Sequence, residues 1–392
     1  MKGHSLDDRA LFVAAAAKLR SDDRKQQEIA RILGVSQPEV SRLLVEARGK
    51  WLEKAPRFLP ADQALWRAAE ERFFSTAETR DHLHKVFPEG GKRLHRVTVL
   101  HGASYGHIDP NAAQVIYALL GDAASVGVTW GRTISSLVQA LRERATEIPT
   151  RGSADRLEFV PLCGEPLMDV RDPSRHSSSV LAEQLAEICN SGTSDRAPSI
   201  AGVPAFIPLK LNKPGEVMTI RRLFGMVRGY ERVFGPAGKV GAETPLVNKL
   251  DAILTSVGVA DAESRGIFLR ERIAAEDISE RDLQRSVIGD IGGVLIPAVG
   301  ISKADEERIA RLNERWTGVR LHQVQACAEA ARMSDFSSKK PGVLLLALGG
   351  RRLAVVHRCI ELGLVNELIV DRELRELLSP EAPVTVGQRL AP

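Results

Sequence analysis

The sequence has no apolar run long enough to cross a membrane. About 18–20 residues would be needed, and its strongest run, Val343 to Leu348, is the size of a strand. Cysteine is scarce: there are 4, at Cys163, Cys189, Cys327 and Cys359, and none forms a C-x-x-C pair. That spacing argues against a zinc ribbon or a disulfide framework and reads as reduced, structural thiols. Residues Met1 to Arg9 are polar and hold two acids, unlike a signal peptide. The expectation is a cytoplasmic protein with no membrane partner. Internal repeats and low-complexity tracts are also missing. No acid–base pair or nucleophile constellation stands out, so no catalytic residue, metal or cofactor is expected. His82 and His84 stand two apart, which on a helix puts them on different faces, a poor arrangement for a metal.

Hydrophobic residues make up 44% of the 392. That composition supports a soluble globular chain with a sizeable core, and its length suggests two or three domains. The net charge of +4 is unevenly spread. Residues 1–60 hold 12 Lys/Arg against 8 Asp/Glu and the rest hold 42 against 42, so the whole excess lies in the first segment. Local basicity attracts a polyanion, although an excess of this size identifies nothing alone.

That basic segment reads as three helices. Leu6 to Leu19 is Ala-rich with one apolar side. Ser21-Asp22-Asp23 breaks it and offers an N-cap for Lys25 to Leu33, whose Ile29, Ala30 and Leu33 have core spacing. Gly34 stands where the chain must turn. Ser36-Gln37-Pro38-Glu39 reads as a capping box opening the third helix, with Val40, Leu43, Leu44 and Ala47 inward. This is the pattern of a helix-turn-helix. Its second helix lies across the DNA backbone and its third enters the major groove. Ser36, Gln37, Ser41 and Arg42 would face the bases, where Gln suits adenine and Arg suits guanine or phosphate. Gln26 and Gln27 open the crossing helix, and Arg48 and Lys50 would meet phosphates. The other reading is a small bundle used for packing or protein contacts. Double-stranded operator DNA is the expected partner. Residues 1–58 form this domain, and the prolines Pro56 and Pro60 mark its end. Residues 59–92 read as a linker with a connecting helix, Ala64 to Val86, and residues 93–392 as the second domain.

From Val97 onward, strands alternate with helices. The strand-like runs are Arg96 to Leu100, Ala124 to Val128, Leu157 to Leu162, Leu250 to Val257, Gly292 to Ile296, Val343 to Leu348, and Leu368 to Val370. Such alternation predicts an α/β domain with a mostly parallel sheet covered on both faces. Lys210 to Pro245 fits neither pattern and reads as an excursion from the sheet. The sharpest segment is Val128-Thr129-Trp130-Gly131-Arg132-Thr133, where a strand meets a helix. Glycine lets a ligand approach the backbone, and a helix N-terminus offers free N–H groups and a positive dipole. This is either a phosphate cradle or an ordinary strand-to-helix turn with a buried Trp. Asp290, after Gly289, reads as a polar ligand contact or as a helix cap. His101 and His107 sit in a loop that could reach the pocket mouth.

The whole chain resembles the SorC-type sugar-binding transcriptional regulators, relatives of the central glycolytic gene and deoxyribonucleoside regulators. The resemblance is carried by Val40-Ser41-Arg42-Leu43-Leu44, Gly127-Val128-Thr129-Trp130-Gly131-Arg132-Thr133, Val160-Pro161-Leu162-Cys163-Gly164, Leu250-Asp251-Ala252-Ile253, Val287-Ile288-Gly289-Asp290-Ile291, and Leu348-Gly349-Gly350. It implies an effector domain resembling phosphosugar isomerases of the glucosamine-6-phosphate type, with a sugar or sugar phosphate held at the C-terminal ends of the strands. It also implies a homodimer or homotetramer. Carried over by position, Gly131, Arg132 and Thr133 would hold the phosphate, while Gly164, Glu165, Asp290, Gly349, Gly350 and Arg351 would line the pocket. Family members commonly have a lysine spaced G-G-x-x-K; here that place is Leu353, with Arg351 and Arg352 beside it. The rival function is a phosphosugar isomerase-like enzyme with a DNA-binding appendage.

Overall fold

A computed structural model describes residues 8–21, 24–48, 50–51, 77–121, 123–148, 151, 156–166, 177–190, 197–211, 213–235, 244–263, 266–275, 277–332 and 340–379. The expected domain boundary, apart from Lys50 and Trp51, and the first part of the connecting helix lie outside them.

The N-terminal unit is built from α1 (Asp8–Ser21), α2 (Gln26–Leu33) and α3 (Gln37–Ala47). Their apolar stripes close on one another: Ala14 to Ala17 of α1 meet Ile29 and Leu33 of α2, and Val40, Leu43, Leu44 and Ala47 of α3, with Trp51 buried in the same cluster. Gly34 ends α2 at φ 65°, a left-handed conformation that favours glycine. Ser36 caps α3, its Oγ accepting the Glu39 N–H at 3.3 Å. Two expectations need correction here. The Glu39 carboxylate does not close a capping box; it takes guanidinium donors from Arg9 at 3.1 Å and Arg42 at 2.8 Å, which outcompete a single backbone N–H. Lys25 stands at the N-cap of α2, where Glu28 accepts its N–H at 3.1 Å, and Ser21 ends α1.

The second unit is a parallel sheet of β1 (Arg96–Val99), β4 (Ser125–Val128), β5 (Glu158–Pro161), β6 (Ala252–Val259), β9 (Gly342–Ala347) and β10 (Glu367–Val370). These run in the order β1-β10-β9-β6-β4-β5. Every residue of β9 is buried because both faces are covered. Its side chains alternate between two cores. Val343, Leu345 and Ala347 pack on the helices Leu321–Arg332 and Leu353–Glu361, and Leu344 and Leu346 on the other face, with the helices Pro110–Leu119, Arg132–Glu143 and Ser178–Cys189. The last part of the connecting helix, Ala77–Val86, packs its Leu83 into the first of these cores, so it is joined to the sheet.

The Gly292 to Ile296 run does not continue the parallel pattern. β7 (Val287–Ile291) and β8 (Val294–Pro297) form an antiparallel hairpin, and β7 pairs antiparallel with the end of β6. Gly292 and Gly293 turn at φ 55° and 87°, the positive pair that a two-residue hairpin turn requires. Asp290 therefore lies in a strand and is not a helix cap. The unassigned excursion contains the helices Pro214–Gly225 and Arg228–Phe234.

Candidate functional site

The direction in which successive strands are added to the sheet reverses between the parallel neighbours β4 and β6. The chain leaves β4 toward β5 at one edge and leaves β6, by way of β7 and β8, toward β9 and β10 on the other side. In an open α/β sheet this switch point opens a crevice at the carboxyl ends of the strands. A cleft lies there, lined by Trp130, Gly131, Arg132 and Thr133 after β4, Ser256, Val257 and Gly258 at the end of β6, Phe268, Asp290, Tyr105 and Arg352.

Gly131 takes φ 135° and has no side chain to cap the helix Arg132–Glu143. The first bond of that helix runs from Ser135 N–H to Gly131 O at 2.9 Å. The earlier N–H groups thus have no acceptor within the helix, which favours an anion. Trp130 does more than fill space: its Nε1 donates to Gly164 O at 3.1 Å, fixing the turn.

Two cations share this cleft. The Arg132 and Arg352 guanidinium groups lie over the Tyr105 ring, 4.7 and 4.3 Å from its centroid. Burial lowers the pKa of Arg132, and nearby Arg270 adds to the effect. Arg352 is brought down to about 10, first by burial and then by Arg132, with Asp371 and Glu373 acting in the opposite sense. Its Nη1 donates to Leu348 O at 2.5 Å, while its buried Nε has no acceptor. Among the described residues, neither arginine forms an ion pair. Cation–π contact contributes about 0.5–2 kcal/mol, whereas a hydrogen bond to a charged partner contributes about 1.5–3 kcal/mol and an oxyanion accepts several. An oxyanion would therefore compete with the ring for both guanidinium groups.

Asp290 faces the same cleft. Burial raises its carboxyl to about 6, partly offset by the Gly293 N–H that its Oδ2 accepts at 3.1 Å. Anion donors and a buried acid together suit a ligand that has both an oxyanion and hydroxyl groups.

The structure brings Gly131, Arg132, Thr133 and Asp290 together as lining of this cleft, sets Gly349 against Tyr105 and Arg352 at its edge, and places the other candidates outside the lining. Gly164 is wedged against Pro204, Val203 and Thr317, and a Cβ there would lie 2.6–2.7 Å from their atoms. Glu165 accepts from Ser177 Oγ at 2.7 Å, and burial raises its pKa. Gly349 donates its N–H to Asp371 Oδ2 at 2.7 Å, and Gly350 packs on Leu377 and Glu373. Arg351 needs correction: it is exposed and pairs with Asp261 at 2.9 Å and Glu263 at 2.8 Å, outside the cleft. The short 3-10 turn Gly350–Arg352 sends Arg352 inward instead. Sequence reasoning named Arg352 only beside Arg351, as a stand-in for the family's lysine, and did not include Tyr105 or Phe268 in the site. The doubled arginine after Gly349-Gly350 was the available signal for Arg352.

In the N-terminal unit, Gln27, Ser36, Gln37, Ser41, Arg42 and Arg48 are exposed, and Gln26 is half-buried. Arg9 of α1 bonds Glu39 and also Glu46, at 2.9 Å, so both acids of α3 are neutralised from beside it.

No profile of a known protein family matches the chain. It is 22% identical over 377 residues, 94% of its length, to the deoxyribonucleoside regulator of Bacillus subtilis (strain 168), covering 96% of that protein. Among solved structures, a domain of a possible sugar-binding transcriptional regulator from Arthrobacter aurescens TC1 aligns with TM-score 0.50 and 19% identity, over 77% of this chain and 97% of that one. The two share a fold. The full-length sorbitol operon regulator SorC from Klebsiella pneumoniae aligns with TM-score 0.49 and 19% identity over 95% of this chain and 99% of that one. The mostly parallel α/β fold expected of the second domain is the one observed.

Proposed function

We propose that this protein is a DNA-binding transcriptional regulator controlled by a small anionic metabolite, a sugar phosphate or a related sugar. The observation that carries this reading is the cleft at the β4/β6 switch point, where Arg132 and Arg352, neither ion-paired among the described residues, stand beside the open helix N-terminus. The B. subtilis relative is named as a regulator, which supports control by binding over turnover. The three-helix unit of residues 1–58 would be the reading head. Gln37, Ser41 and Arg42 of α3 would face bases, while Ser36, Gln26, Gln27 and Arg48 would hold backbone or neighbouring bases. Gly131, Arg132, Thr133 and Arg352 would hold the oxyanion, and Asp290 a hydroxyl. Gly164, Glu165, Gly349 and Gly350 would act by shaping the elements around that pocket.

A single reading head of this size makes few base contacts, so two or four copies on a two-fold operator are the natural assembly. A cytoplasmic location follows from the role; among the described residues no helix is long and apolar enough to cross a membrane.

Thermal-shift titration of wild type and Arg132→Ala/Arg352→Ala with a panel of sugar phosphates and free sugars tests the reading. Stabilisation by phosphorylated ligands in wild type alone supports it. Shifts with free polyols only, or sustained turnover of a sugar phosphate, overturn it.

A further inference from the structure

One hairpin touches both the cleft and the reading head. β2 (Ala103–Ser104) and β3 (His107–Ile108) pair antiparallel, and their turn carries Tyr105 at its tip. The turn is fixed by Ser136 Oγ, which donates to Gly106 O at 3.1 Å, from the helix that starts at the cleft. The base is closed by Asp109 N–H to Gly102 O at 3.0 Å. Asp109 then caps the helix Pro110–Leu119, accepting the Asn111 N–H at 2.7 Å. From that first turn, the buried Asn111 Nδ2 reaches the Ser21 carbonyl at the end of α1, at 3.2 Å. One turn further on, Val115 packs against the core of the three-helix unit. Just before the hairpin, half-buried His101 lies within electrostatic reach of Lys18 and Arg24 of the N-terminal unit, and of Arg372. Arg372 belongs to the helix that also supplies Glu373, beside Gly349 and Gly350.

We propose that the Ala103–Ile108 hairpin is the mechanical link between effector and DNA: an anion that takes Arg132 and Arg352 removes the two cations holding Tyr105, and the freed hairpin loosens the seat of α1 on Asn111 and Val115. This rests on reading the cleft as the effector site. The path is short: Asn111 stands six positions after Tyr105, with hydrogen bonds across the hairpin between them, which leaves little slack chain. A population shift of this kind needs a contact that differs between the two states, and the Tyr105 ring supplies it.

Hydrogen exchange on the full-length protein tests this in two arms. Without ligand, Tyr105→Ala and Asn111→Ala should each speed exchange in the last turn of α1, Lys18 to Ser21, by about fivefold or more, with β9 unchanged. Tyr105→Phe, which keeps the ring, should match wild type. A uniform rise across the protein, or no rise in α1, overturns the link. In the second arm, inorganic phosphate is the probe. Wild type should gain protection at Arg132 to Ile134 and lose it at Lys18 to Ser21, while Tyr105→Ala should show only the gain. Protection at Arg132 to Ile134 with α1 unmoved in wild type overturns the link and leaves the cleft reading intact. No protection there at all overturns the cleft reading and the trigger, and the ligand-free arm still decides whether Tyr105 seats α1.

Discussion

Replacing Asp290 by Asn should make the protein more stable, and more so as pH rises. Asp290 is buried, and its only hydrogen bond among the described residues is the one from Gly293 N–H. Its carboxyl is raised from 3.8 to about 6. The folded state therefore holds this proton more tightly than the unfolded chain does. The contribution to stability is complete below pH 3.8 and is lost as pH rises through about 6. Moving the value from 3.8 to about 6 corresponds to about 3 kcal/mol between the two limits. Asn keeps the shape and the acceptor for Gly293 N–H but has no charge to desolvate. Urea unfolding of wild type and Asp290→Asn should give curves that differ little near pH 4, with the variant ahead by about 2–3 kcal/mol at pH 7–8. Such a gain on removing a cleft residue is what a site kept for binding at the expense of stability would show. A difference that stays flat from pH 4 to 8 would refute the reasoning, because it would mean that the carboxyl is not forced to ionise inside the fold.

Other outcomes follow from single contacts. Gly34→Ala has open space around its new methyl but must hold φ 65°, so it should destabilise the N-terminal unit by about 1 kcal/mol, read by its thermal unfolding. Gly131→Ala must hold φ 135°, at a cost on the order of 1–3 kcal/mol, and should weaken phosphate binding measured by calorimetry. The Gln37→Ala/Arg42→Ala pair should lose about 1–3 kcal/mol of duplex binding per base contact in gel-shift assays while staying folded by circular dichroism. Arg48→Ala should instead weaken binding to all sequences and flatten the log–log salt dependence by about one.

What could be read from the sequence was what is encoded locally. The three N-terminal helices come from spacing within each segment, from Gly34 and from the Ser36 cap, all settled within a few residues. The parallel strands show as apolar runs because both faces of the sheet are covered, as at Val343 to Leu348. Longer-range competition was hidden. Glu39 has a local cap available, yet Arg9, 30 residues away, takes its carboxylate. Whether Arg351 or Arg352 enters the cleft depends on the phase of one 3-10 turn, which periodicity does not specify. The loop holding His101 and His107 does reach the cleft, as read from the sequence, but through Tyr105 and not through a histidine, and Phe268 arrives from a distant segment with no motif around it. Gly292-Gly293 did carry a hairpin signal, but the Val294 to Ile296 run that follows resembles any buried strand.

The most direct test of the central claim is duplex affinity of the full-length protein with and without a saturating sugar phosphate. The duplex would be one that the protein itself selects from a random pool, with Arg132→Ala/Arg352→Ala measured alongside. The account predicts a ligand-dependent change in wild-type affinity of about 5- to 150-fold, the usual range of coupling between two sites, and none in the variant. Equal affinity with and without bound ligand in wild type would contradict it.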